Sequence, residues 1–361
     1  MVEIAKKENE KNTMNTERRI ELDYLRVFAT FAVMIVHVSA TNWYASDVNS
    51  FDWQFFNLYD AICRWCVPVF LMISGTFLLP KDIPLKVLYS KYIRRLLCAF
   101  IAWSFFYAVV DFAKGNGIAS AAENLVKGPL HMWFVLMIIG IYMCIPFVKA
   151  IADKGKSLLR YYLILAFVFT LLLPQVVTLA KDFAPETAIN IVNLFYADIT
   201  GMRMFLVMGY MFYFILGYFV SSTDLSKKQR KGIYCVGAAC FLLTIALSSY
   251  VSLKTQTPCE NYYSYYTVNV FLESLSVFVA FKYHDFKNAR INKIVLRLSK
   301  YSFGAYLVHA FVIDLLPRFG VNTLMCTPLI AVPFMGILVF VISFAISCVC
   351  NHIPVVKKYL V

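Results

Sequence analysis

Asp23, Arg26 and His37 lie within one apolar stretch, Glu21 to Thr41, which reads ELDYLRVFATFAVMIVHVSAT. An ionisable side chain deep in a bilayer costs roughly 3 kcal/mol or more unless it is paired or hydrated. Three of them in one candidate span imply a polar interior that the helix lines. At 3.6 residues per turn, Arg26 and His37 fall on one face, roughly 16 Å apart along the axis. Asp23 lies one turn before Arg26, Thr30 one turn after it, and Thr41 one turn beyond His37. Together they form a polar stripe on an apolar helix. A histidine can take and return a proton near neutral pH. An arginine fork can hold phosphate oxygens in pairs. That combination suits transfer across a membrane, of a group or of a whole solute. A plainer reading competes with it. Arg26 can snorkel to the head groups and pair with Asp23, and His37 can hydrogen-bond a neighbouring helix. Snorkelling accounts for Arg26 but not for a histidine three turns deeper on the same face.

Other stretches carry further candidates. In NLYDAICRWCVPVFLMISGTFLL, Asp60 and Arg64 are four residues apart and can pair along a helix. Gly75 shares the Arg64 face, and Pro68 predicts a kink of the kind that often lines a cavity. Arg64 falls at a depth similar to His37, although an Asp60–Arg64 pair that only anchors the interface fits the residues too. Lys91, Arg94 and Arg95 in YSKYIRRLL lie level with Arg26, either as a topology signal or as a phosphate clamp. His131 and Trp133, in GPLHMWFVL, fall at the opposite interface, where Trp133 suits an aromatic belt. Near 181–203, Asn190, Asn193, Tyr196, Asp198 and Arg203 are placed to meet an external acceptor, without specific composition. Tyr262, Tyr266, Asn269, Glu273 and Ser276 share one helical face. Glu273 is a functional candidate by its depth alone. Ser302, Tyr306 and His309 form another stripe, read equally well as packing or as chemistry. His284 and His352 carry no signal. Cys63 and Cys66 form a lone CxxC that lacks the further ligands of a zinc site, so no metal is expected.

These residues need a membrane bundle to position them. The chain has 361 residues, 60% apolar and only 15% charged, against about 25% charged in a typical soluble domain. Its net charge of +13 is concentrated at the ends of apolar runs, as membrane topology requires, and argues against nucleic-acid binding. Spans of about 20 residues are predicted at 22–41, 57–79, 93–112, 131–150, 159–180, 203–221, 232–253, 262–281, 299–317 and 326–350. Lys and Arg alternate sharply between the connections, which puts both termini in the cytoplasm. The expected architecture is an all-α polytopic protein, with about ten transmembrane helices in one bundle around a polar internal cavity. Residues 1–20 form a cytoplasmic N-terminal tail without a signal-peptide run, 21–351 the membrane domain, and 352–361 a cytoplasmic C-terminal tail. The ten cysteines lie mostly inside apolar runs and behave as small hydrophobes, so no disulfide framework is predicted.

The motifs DYLRVFATFAVMIVH, RWCVPVFLMISGTFLL, KYIRRLL, HMWFVLMIIGIYMCIP, YFILGYFV and SKYSFGAYLVHAF occur in this order over nearly the whole chain. In this the sequence resembles the acyltransferase-3 family of bacterial membrane acyltransferases, and within it the branch containing the O-acetyltransferase of enterobacterial common antigen. Arg26 and His37 match that family's Arg-x10-His. Its Arg-x-x-Arg appears here as Lys91-x-x-Arg94 with Arg95 adjacent, which keeps the charge and loses one fork. The resemblance implies acetyl-CoA, or another acyl-CoA, as a donor substrate drawn from the cytoplasm, with no permanently bound cofactor. It implies a hydroxyl of a cell-surface polysaccharide or lipid-linked glycan precursor as acceptor, and the bacterial cytoplasmic membrane as location. Arg26, Lys91, Arg94 and Arg95 would meet the donor's phosphates. His37 would act as general base or acyl carrier, and Arg64 would stabilise the oxyanion. Asp23, Glu273, Tyr306, His309, His131 and Trp133 form a second tier toward acceptor or thioester. Relatives often carry a fused soluble domain; none is read here, so direct acylation or a separate partner is expected, and a homodimer is compatible with the bundle. The competing class is a proton-coupled small-solute transporter of the same membrane fold, but no inverted pair of interrupted helices supports it. A subunit assisting polysaccharide synthesis or export is a weaker third reading.

Overall fold

The computed structural model describes residues 19–359, and among them every regular element is helical and none is a strand. The chain begins with α1 (Ile20–Trp43), α2 (Phe51–Leu78), α3 (Leu85–Ala113) and α4 (Gly117–Met143). It continues through α5 (Ile145–Asp153), α6 (Lys156–Phe183), α7 (Glu186–Gly201) and α8 (Met211–Ser221). Then follow α9 (Lys227–Thr255), α10 (Asn261–Lys282), α11 (Ala289–Leu315), α12 (Pro328–Cys350) and the short α13 (Pro354–Tyr359). α13 falls within the expected C-terminal tail. The expected N-terminal tail lies almost wholly outside the described residues.

Eight of these segments are long and apolar enough to cross a membrane. The two other predicted spans map to α8 and α11. α11 has ample length at 27 residues, but Ser299, Lys300, Ser302 and His309 dilute its apolar character. α8 has only 11 residues and covers about 16 Å, half of a bilayer's hydrocarbon core. The chain before α8 turns instead of spiralling, with positive φ at Arg203 (51°) and Gly209 (94°). The predicted span 131–150 is likewise divided at Cys144. Pro146 has no N–H to offer the Tyr142 carbonyl, so the helix restarts there.

Proline also shapes α2. The helix breaks between Ala61 and Cys66, because Pro68 cannot donate to the carbonyl of Arg64. The predicted kink is therefore a short non-helical turn, and Arg64 sits on it. Near its start, α3 contains a π-helical turn, Leu88–Ile93, a deformation frequent at functional sites. Lys91 lies on that turn.

α1 is the central helix, packed against α2, α10, α11 and α12. Small residues let the neighbours close around it, as is usual where lipid and core are equally apolar. A Cβ on Gly75 of α2 would come within 1.8 Å of the Phe214 carbonyl oxygen, and one on Gly217 of α8 within 2.1 Å of the Met72 carbonyl oxygen. Those two glycines let α2 and α8 touch backbone to backbone. Leu22, Leu25, Ala29 and Met34 on α1 are fully buried, which fixes the rotation of the helix and leaves its Arg26–His37 face to an internal cavity.

Candidate active site

The cavity holds about 810 Å³. Arg26, Val33 and His37 line it along α1, and Tyr44 lines it just past the helix end. Those positions cover about 27 Å of helix axis, close to the hydrocarbon thickness of a bilayer.

One end is basic. Arg26 is half-buried; its Nη1 donates to Ser299 Oγ at 3.4 Å, and its guanidinium lies 5.6 Å from the Phe77 ring centre. Ser299 Oγ donates to Asp23 Oδ1 at 2.5 Å. One serine of α11 thus ties the buried Asp23 to Arg26. Lys91 and Arg95 of α3 and Lys300 of α11 line the same end. Lys91 and Arg95 also line an adjoining basin of about 900 Å³, together with Arg94, His352 and Lys357. Lys91 and Arg95 are four apart and share a face, and Arg94 is rotated by about 100° from Arg95. Arg94 therefore lines the basin and not the cavity. His352, read as silent in the sequence, contributes to that basin.

Midway along the cavity three histidines converge from three helices. The His37 and His309 ring centres are 5.0 Å apart, His131 and His309 5.0 Å, and His37 and His131 6.4 Å. His37 and His131 line the cavity, while His309 is fully buried behind them. Carbonyls of α11 fix two of the rings. His131 Nε2 lies 3.4 Å from the Leu307 oxygen, and His309 Nδ1 lies 2.5 Å from the Tyr306 oxygen. Tyr306 donates its hydroxyl to the His131 carbonyl at 2.5 Å, which locks α11 to α4.

Farther along stands Arg64, paired with Asp60 in two contacts of 2.7 Å each. The guanidinium also lies 4.7 Å from the Tyr263 ring centre. Arg64 lines the cavity. Trp133, expected in an aromatic belt, instead lines the cavity and stacks on Tyr265 at 5.9 Å. The far mouth is bounded by Tyr44 and Glu260, whose side chains share a 2.7 Å hydrogen bond donated by the tyrosine. Neither was singled out in the sequence. Glu260 is an isolated acid in a connection poor in Lys and Arg, the one signal that marks it.

Several candidates stand apart. Thr30 and Thr41 donate to carbonyls of their own helix, at Arg26 (2.8 Å) and His37 (3.1 Å), so the α1 stripe narrows to Asp23, Arg26 and His37. Glu273 is fully buried between α10 and α9, bonded to Thr244, and does not line the cavity. The polar residues of 190–203 do not line it either; α7, which carries most of them, buries none of its residues. Among the described residues no cluster of three or more His, Cys, Asp or Glu side chains forms a metal site.

The arrangement has a definite chemical capacity. Cations at one end can hold an anionic group, and a cavity-facing histidine farther in can move a proton. A paired arginine beyond it can oppose developing negative charge. A family model described as an acyltransferase domain matches residues 19–348. No curated protein and no solved structure matches the chain. With the match covering nearly the whole sequence and the helices forming a membrane bundle, the chain belongs to the acyltransferase-3 family and is a membrane acyltransferase.

Proposed function

We propose that the protein is a membrane O-acyltransferase that moves an acyl group, acetyl in the simplest case, from cytoplasmic acyl-CoA to a hydroxyl of a surface glycan or its lipid-linked precursor. The observation that carries this reading is a single cavity with Arg26, Lys91 and Arg95 at one end and His37 and Arg64 farther in. In this reading the basic end faces the cytoplasm of a bacterial cell, as positive-inside topology requires, and the membrane is the cytoplasmic one. The adjoining basin takes the donor's phosphates, and the slim acyl-bearing arm runs inward past Arg26. The acceptor enters past Tyr44 and Glu260, where the Trp133–Tyr265 stack offers a flat apolar surface. The finer likeness to the enterobacterial common antigen branch supports a sugar hydroxyl as the nucleophile.

The chemistry balances within the cavity. The acceptor oxygen attacks the thioester carbonyl as His37 removes its proton. Negative charge on the carbonyl oxygen is stabilised by Arg64. The C–S bond then breaks, and His37 returns the proton to the departing thiolate. The products are an O-acyl ester and free coenzyme A. In a variant of this course His37 itself carries the acyl group between donor and acceptor.

Acetyl-CoA binding to the detergent-purified protein tests the donor half. Charged hydrogen bonds to a phosphate are worth about 1.5–3 kcal/mol, or roughly 10- to 100-fold in Kd. Arg26→Ala and Arg95→Ala should each weaken binding by that much. Arg94→Ala, which removes a cation from the phosphate basin, should weaken binding by a comparable factor. Absence of binding in folded wild-type protein would refute the donor assignment.

A further inference from the structure

We infer that His309 is the positioning residue for His37, presenting an unprotonated Nε2 that fixes which nitrogen of His37 faces the substrate. The inference rests on His37 as the base of the proposed reaction and adds how its proton is directed.

The argument begins with hydrogen count. His309 Nδ1 lies 2.5 Å from the Tyr306 carbonyl oxygen. A carbonyl only accepts, so Nδ1 carries the ring proton. A neutral imidazole has one such proton, so Nε2 carries a lone pair. That atom is fully buried and has no hydrogen-bond partner among the described residues. A buried acceptor without a donor is destabilising, and an adjacent group is placed to supply the donor.

Two rings adjoin it, both with centres 5.0 Å away: His37 and His131. His131 is excluded by the same count. Its Nε2 faces the Leu307 carbonyl oxygen at 3.4 Å, so its proton is committed there and its other nitrogen is itself an acceptor. His37 has no such commitment. Its ring is tilted 49° to that of His309, and one N–H directed at His309 Nε2 satisfies the orphaned acceptor. The second nitrogen of His37 then bears a lone pair and faces the cavity, as a general base requires. The partner of an imidazole N–H sets its tautomer and its aim, the task a carboxylate performs in hydrolase triads. Here the partner is neutral.

Consequences follow for the reaction cycle. When His37 takes the acceptor's proton it carries two N–H groups. One remains on His309 Nε2, so the ring does not turn, and the new proton stays aimed at the departing sulfur. His309 gains no proton.

The test compares His309→Leu, His309→Gln and His37→Ala in acetyl-CoA-dependent acyl transfer, beside nitrogen-15 spectra of histidine-labelled wild type. His309→Leu should lower kcat about 100-fold with KM for acetyl-CoA unchanged. His309→Gln, whose amide oxygen can accept in place of Nε2, should stay within about tenfold of wild type. In the wild-type spectra His309 should be the Nδ1–H tautomer, a result that needs no variant to fold. Wild-type kcat in His309→Leu, equal losses in the Gln and Leu variants, or an Nε2–H tautomer at His309 would overturn the inference. An inactive His37→Ala beside a fully active His309→Leu would sink the positioning role alone. An active His37→Ala would remove the base itself, and the positioning role with it.

Discussion

Two clusters of buried polar side chains sit inside this bundle, and they differ in what they face. His37, His131 and His309 meet where α1, α4 and α11 converge, and two of the three open on the cavity. Thr244, Asn269 and Glu273 meet between α9 and α10. Thr244 Oγ1 donates to Glu273 Oε1 at 2.5 Å, and Asn269 Nδ2 donates to Thr244 Oγ1 at 2.7 Å and to the Tyr262 carbonyl at 2.9 Å. None of those three lines the cavity. Both clusters would be expensive in lipid without partners. The second is a fastener between two helices, of the kind that polar side chains make in membranes. The first has the same raw material but leaves His37 open to a substrate. Access, more than depth or charge, separates the proposed site from a structural cluster here.

The largest effect should come from removing the open histidine. His37→Ala is expected to lower acyl transfer about 1000-fold, within the range that positioned acid–base groups supply, while the purified protein keeps its wild-type melting temperature within a few degrees. Next is Arg26→Ala, with acetyl-CoA Kd raised roughly 10- to 100-fold. Calorimetry can show this without knowledge of the acceptor. Thr244→Val should act oppositely. It strips Glu273 and Asn269 of a partner, at about 1–3 kcal/mol, so the melting temperature falls while kcat in the remaining folded protein is retained. The smallest effect is expected for Glu273→Gln, which keeps shape and a hydrogen bond, with turnover within about threefold of wild type. A loss there comparable to that of His37→Ala would erase the distinction between the two clusters.

The all-helical membrane architecture is legible in the apolar runs and in the alternation of basic connections. So is the face of α1 that bears Arg26 and His37, because two ionisable residues at helical spacing in an apolar run have few explanations. The breaks were less legible. Pro146 and Gly209 are visible as residues, but their effect depends on whether tertiary packing holds the divided helices together. Thr30 and Thr41 share the periodicity of the α1 stripe and nevertheless bond their own backbone, a choice that spacing does not encode. His131 and His309 are separate second-tier candidates in the sequence, one read as interfacial or functional and the other as packing or chemistry. Their meeting depends on α4 lying beside α11, and no local pattern specifies that. Tyr44 and Glu260 were missed because their bond joins loops 216 positions apart. Lys300 was hidden among basic residues that read as topology.

Transfer of labelled acetyl from acetyl-CoA to the membrane acceptor, in vesicles carrying matched amounts of wild-type and His37→Ala protein, tests the central claim most directly. The claim is that the cavity face of α1 carries the reaction. It predicts transfer in wild type and a loss of about 1000-fold in His37→Ala, with acetyl-CoA binding unimpaired. Transfer within about tenfold of wild type in folded His37→Ala protein would contradict it.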